Sequence, residues 1–186
     1  MVIIIISIVV VIFIAFTIFL WIFTGELFFM APSSNKMDRF LKTNIDKLSY
    51  VADALFDLDY EGVTIHRLPQ RVGDKYNLTM EVIRYKFYED GSRGTDIETI
   101  PITGELLDHI VALYESGVRV ISCGRDSVGF SVWAFMGEIR GIKYTKNGKI
   151  PDGEQLIDVM QLSKENWYYY IHNYEKAKVR NPELFQ

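Results

Sequence analysis

Residues 1–23 read MVIIIISIVVVIFIAFTIFLWIF, and how the rest of the chain is understood depends on this run. Apart from Ser7 and Thr17 it is apolar, and the first charge after it is Glu26. The hydrocarbon core of a bilayer is ~30 Å thick and takes roughly 20 apolar residues as helix, at ~1.5 Å rise per residue. The run meets that length and predicts a single-pass signal-anchor, a transmembrane helix over 1–23 that holds the chain at the cell membrane. A core helix this long would show a polar face. A cleaved signal peptide would show a basic start, a shorter apolar region and a small-residue cleavage site. No Lys or Arg precedes Lys36, and Phe29 fits poorly at the −3 position of cleavage after Ala31. Lys36, Arg39, Lys42 and Lys47 favour a cytoplasmic domain by the positive-inside rule. Asp38 and Asp46 are interleaved with them, so the side of the membrane stays open.

Beyond the anchor, residues 24–35 read as a juxtamembrane connector, 36–175 as one domain and 176–186 as a polar tail. A domain of this length buries a real core. The net charge of −4 shows no basic nucleic-acid footprint. Cys123 is the only cysteine, which excludes an internal disulfide framework and a thiolate zinc cluster.

Pro32 stops the anchor helix and Ser33 or Ser34 caps the next one. Met37, Phe40, Leu41, Ile45, Leu48, Val51, Ala52, Leu55 and Phe56 recur at i, i+3, i+4 spacing, predicting a helix to about Asp57. From Gly62 the period becomes two. Strands are expected at 63–66, 76–88 and 97–102, then a short helix capped by Thr103 and stopped by Gly117. A meander follows, with strands at 118–123, 127–136, 140–146 and 167–173, Asn147-Gly148 being a type I′ turn signal. Tyr174 onward is charged and reads as a fraying end. The expected fold class is therefore α+β: an N-terminal transmembrane helix, then one domain of two helices packed on a mostly antiparallel sheet.

Catalytic and metal motifs are sparse. Asp57-Leu58-Asp59-Tyr60-Glu61-Gly62 opens like a calcium loop, but the twelfth position, which needs a bidentate Glu, is Leu68. His66, His109 and His172 fall in three elements without metal-ligand spacing. Ser122 to Gly129 is the most polar cluster of the sheet, yet no nucleophile elbow, GxGxxG or GxxxxGK[ST] pattern occurs in the chain. No cofactor and no metal are expected, and Cys123 reads as an inert thiol.

The aromatic residues carry the functional reading. Strict alternation puts Val128, Phe130, Val132 and Ala134 on one face and Trp133 and Phe135 on the other. On the last strand it sets Trp167, Tyr169 and Ile171 against Tyr168, Tyr170 and His172. One face must pack under the helices. The other is either covered or is an aromatic surface for a protein partner, centred on Trp133, Tyr168 and Tyr170 and rimmed by Arg125 and Arg140.

The segment Arg140-Gly141-Ile142-Lys143-Tyr144-Thr145-Lys146-Asn147-Gly148-Lys149-Ile150-Pro151, followed by Asn166-Trp167-Tyr168-Tyr169-Tyr170, resembles small bacterial membrane-anchored proteins. Some of these are immunity-type proteins, which neutralise a toxin delivered by neighbouring cells. The resemblance covers about the last quarter of the chain and implies a non-enzymatic module that occludes a toxin. Two other readings stand beside it: a structural or assembly subunit of a membrane complex, and a membrane-anchored hydrolase using His66 or His109 with a carboxylate.

Overall fold

The computed structural model describes residues 12–16, 31–58, 60–66, 70–72, 75–87, 93–135, 137–152 and 156–180. Two units are distinguished, Met1–Pro32 and Ser33–Gln186. In the first, residues 12–16 are helical. Among the described residues, no helix is long and apolar enough to cross a membrane. The predicted transmembrane anchor, and with it the single-pass location at the cell membrane, is therefore corrected. Apolar composition is necessary for a span, but a span also needs one continuous helix of roughly 20 residues. The rest of that stretch and most of the connector lie outside the described residues.

The second unit begins with helix α1, Ser34–Phe56. Ser33 has the extended backbone of an N-cap, and its Oγ accepts from the Lys36 N–H at 3.4 Å. Met37, Leu41, Leu48, Val51, Ala52 and Leu55 are buried along one stripe. Asn44 shares that stripe, and its Nδ2 donates to the Phe40 carbonyl at 3.1 Å, so its burial leaves no orphan donor there. Helix α2, Gly104–Glu115, packs on α1 through buried Ile110, Leu113 and Tyr114. The Tyr114 hydroxyl ties α2 to the sheet by donating to the Ile65 carbonyl at 3.0 Å.

Among the described residues nine strands form the body: β1 Gly62–His66, β2 Gln70–Val72, β3 Lys75–Phe87, β4 Arg93–Ile102, β5 Val120–Gly124, β6 Ser127–Phe135, β7 Glu138–Thr145, β8 Leu156–Gln161 and β9 Trp167–Asn173. Their order is β2-β3-β1-β5-β6-β7-β9-β8, with β4 also on β3, and every pairing is antiparallel. The expected arrangement of two helices on a sheet is thus corrected to a sheet-dominated domain. Strands β2 and β8, and the first four residues of β4, come from segments whose alternation is too short or too polar to read. A further helix, α3, Tyr174–Arg180, stands where a fraying end was expected. It starts on Asn173, whose Oδ1 accepts from the Lys176 N–H at 2.9 Å, and it buries Ala177.

Register sorts the sheet into two faces. The inner face, toward α1, carries Val63, Ile65, Ile121, Cys123, Val128, Phe130, Ile142, Tyr144, Trp167 and Tyr169. Trp167 lies between Tyr144 and Phe130, at ring separations of 5.0 and 6.0 Å, and Phe56 of α1 reaches Tyr144 at 6.1 Å. Strict alternation fails on β6. A bulge between Ser131 and Trp133 pairs Trp133 with Arg140, two residues from the Phe130–Ile142 pair on β7. Trp133 and Phe135 therefore join the inner face, opposite to the expectation, because one extra residue inverts every later side chain.

On the outer face, β7 and β8 are both antiparallel to β9 and lie on its two sides, so they run parallel and are not joined as a hairpin. The start of the segment after β7 is tied to this face, the Tyr168 hydroxyl donating to the Gly148 carbonyl at 3.1 Å. On the same face Gly141 is obligatory: a Cβ there would sit 2.2 Å from the Phe130 carbonyl oxygen.

Candidate functional site

The residues predicted as one partner surface fall in three places. Trp133 and Arg140 meet on the inner face, the guanidinium 5.6 Å from the indole centroid. Arg140 also donates to Glu138 Oε1 at 2.7 Å and to the Tyr169 hydroxyl at 3.1 Å, while Lys176 of α3 holds Glu138 Oε2 at 2.8 Å. Burial alone would raise the Glu138 carboxyl pKa, but the bonds from Lys176 and Arg140 outweigh it and hold it below the ordinary glutamate range. This cluster is an internal clamp that pins α3 to β7. Trp133 is 9% exposed, so it offers little surface.

Tyr168 and Tyr170 are on the outer face and only 4% and 6% exposed. The Tyr170 hydroxyl is 2.8 Å from Ser131 Oγ, and its burial raises the phenol pKa against the effect of that bond. Both rings therefore offer little surface to a partner.

Arg125 is at the far end, in the β5–β6 turn, where a cleft of about 530 Å³ opens. The end of α1 supplies Leu55, Phe56 and Asp57, the α1–β1 turn supplies Leu58, Tyr60 and Glu61, and the end of β5 supplies Cys123 and Gly124. The helix stops there because Asp57 makes its last backbone bond to Asp53, and the chain turns at once, Tyr60 N–H donating to the Leu58 carbonyl at 2.8 Å. The lining is mostly polar, with Leu55, Phe56 and Leu58 contributing its apolar part. Arg125 is 82% exposed and stands 4.0 Å from Glu61. Arg84 sits 4.8 Å over the Tyr60 ring, and Lys146 lies 5.4 Å from the Phe56 ring. Both are cation–π contacts that hold basic groups beside the opening.

The one nucleophile of the cleft is Cys123. Burial pushes its thiol up to about 11, and its Sγ donates to the Gly124 carbonyl at 3.3 Å, so it is protonated at neutral pH. None of the three histidines lines the cleft. His109 stacks on Tyr50 with ring centroids 4.2 Å apart, and β5, β6 and β7 separate His66 on β1 from His172 on β9. Among the described residues, no group of three or more His, Cys, Asp or Glu side chains is placed to hold a metal ion.

The arrangement suits recognition: a mostly polar cleft with aromatic side chains beside it, and paired charges to orient a bound group. Leu58, Tyr60 and Glu61 were not singled out from sequence as contact residues. Their segment stood out only as a failed calcium loop, and the available signal was an aromatic residue inside a run of acidic turn residues. In comparison with known proteins, the chain matches no family model, no curated protein and no solved structure.

Proposed function

We propose that the domain is a protein-binding module whose contact surface is the cleft at the α1–β1 turn. The observation that carries this reading is the exposed Arg125 guanidinium at a mostly polar cleft that also holds the Tyr60 and Phe56 side chains. Arginine and tyrosine are the residue types that concentrate binding energy when a partner desolvates them, and Arg125 and Tyr60 stand together here. The partner segment presents a carboxylate, which displaces Arg125 from its long contact with Glu61. Its most concrete form is the neutralisation of a toxin by occlusion, the role implied by the resemblance of 140–151 and 166–170.

Capture by the immobilised wild-type domain and its variants tests this. Wild type is expected to retain one protein in a fixed ratio, Arg125→Glu and Tyr60→Ala to lose it, and all three to melt alike. Inhibition of the captured protein's activity at equal molar ratio would support the toxin form. Equal capture by wild type and both cleft variants, or no stoichiometric capture at all, would overturn the assignment.

A further inference from the structure

Strand β3 connects the cleft to a free edge of the sheet. Arg84, whose guanidinium sits 4.8 Å over the Tyr60 ring of the cleft, belongs to β3. Register sets it directly opposite Asp96 of β4. Among the described residues β4 pairs with β3 alone, so no strand continues the sheet on its far side. Proteins commonly blunt such an edge by keeping it short, but β4 is 10 residues long, and Pro101 interrupts its donors only near the end. Residues 95 to 99 are all exposed, Ile97 by 63%. An edge of this kind presents backbone N–H and C=O groups at every second residue to an incoming strand.

The side chains along the edge select the occupant. Ile97 lies opposite Ile83 of β3 on one face, flanked by Thr95 and Thr99. Asp96 and Glu98 alternate onto the other face. Arg84 stands opposite Asp96, whereas Glu98 stands opposite the buried Val82. Among the described residues Glu98 has no ion-pair partner. A second copy of the chain, added antiparallel with Ile97 on Ile97, sets Asp96 against Glu98, and like charges directly opposite are destabilising. A strand with a basic residue opposite Glu98 and an apolar one opposite Ile97 matches both faces. The cleft is near enough to share that partner. An added strand stands three strand spacings from β1, about 14 Å, which about four extended residues span.

We propose that the free edge of β4 takes up an extended segment of the partner as a further strand, with a Lys or Arg opposite Glu98 and an apolar side chain opposite Ile97. The inference rests on the cleft as the contact surface and extends it: a carboxylate of the partner engages Arg125, and neighbouring residues continue along β4. Backbone pairing supplies affinity that tolerates sequence, and the two side chains supply selection.

Amide hydrogen exchange, read residue by residue by NMR on the folded domain, tests this with two synthetic probes. One is a peptide alternating lysine and valine, amidated at its end, and the other is its glutamate counterpart. With the lysine peptide in excess, alternate amides between 94 and 100 are expected to slow about tenfold, while the glutamate peptide leaves them unchanged. Glu98→Lys should reverse that preference, and Ile97→Asp, at an exposed position, should abolish the slowing. Unchanged β4 amides with the lysine peptide, or slowing that Glu98→Lys does not alter, would overturn the proposal. Slowing with domain concentration alone, before any peptide is added, would assign the edge to a second copy and overturn it as well. Capture of the partner that is lost in Arg125→Glu but kept in Ile97→Asp would discard the added strand and leave the cleft standing. Capture lost in Ile97→Asp but kept in both cleft variants would discard the cleft and keep the strand.

Discussion

The two faces of the sheet bury aromatic rings by different means. On the inner face Phe130, Tyr144 and Trp167 pack against one another under α1, and the seal is side chain on side chain. On the outer face Tyr168 and Tyr170 reach polar atoms, the Gly148 carbonyl and the Ser131 hydroxyl. The inner face is a core, where stability comes from apolar area removed from water. The outer face holds polar groups in place, with the Lys143 ammonium 5.3 Å from the Tyr170 ring. Rings of similar size and burial therefore have different roles, and burial alone does not separate them.

The largest effect that would sharpen this contrast is expected at the inner face. Phe130 is fully buried, so Phe130→Ala should cost about 3–5 kcal/mol, measured by urea denaturation. A cost near that of an exposed residue would show that the inner face is not the core. Next comes the clamp at its end. Glu138→Gln should cost about 1.5–3 kcal/mol at neutral pH, the range for hydrogen bonds to a charged group. The folded Glu138 pKa lies below its ordinary value, so its contribution is present above the ordinary glutamate pKa and is lost as pH falls through the folded one. Melting curves of wild type and Glu138→Gln should converge at acid pH; a constant gap would show that the carboxylate charge is not what holds α3.

The outer face should respond less. Tyr168→Phe removes one hydroxyl bond to Gly148 and should cost about 0.5–1.5 kcal/mol, while hydrogen exchange quickens in 146–152. A loss as large as that of Phe130→Ala would erase the distinction between the faces. The smallest effect is expected at Asp38, which accepts from the Ser163 N–H at 2.8 Å and pairs with Lys42 at 2.7 Å. Bonds from Lys42 and then Ser163 lower its carboxyl to about 2, so its contribution is present above pH 4 and lost toward about 2. The site is open to solvent, and Asp38→Asn should cost less than about 1 kcal/mol.

What the sequence reveals follows from the range of the interactions. Helix α1 is legible because its apolar stripe and Ser33 cap are local signals, and β9 because four consecutive aromatic residues, Trp167 to Tyr170, favour a strand. The bulge at Ser131–Trp133 is not legible: two-residue alternation runs smoothly across it, and only the pairing with β7 shows the inversion. Strand β8 is hidden for a related reason. Its neighbour is β9 rather than β7, so the Asn147-Gly148 signal marks a turn that does not close a hairpin. Tyr168 and Tyr170, which alternation and composition offered as a surface, are buried. The cleft joins α1, β1 and β5, elements about 70 residues apart, and of its lining only Arg125 was singled out as a contact residue.

The most direct measurement is hydroxyl-radical footprinting of the domain, alone and with its captured partner. Protection is expected at Phe56, Leu58 and Tyr60 in the complex, with Trp133, Tyr168 and Tyr170 weakly labelled in both states. Strong labelling of Tyr168 and Tyr170 in the free domain that disappears on binding, with the cleft unchanged, would contradict it and return the contact to the aromatic strand.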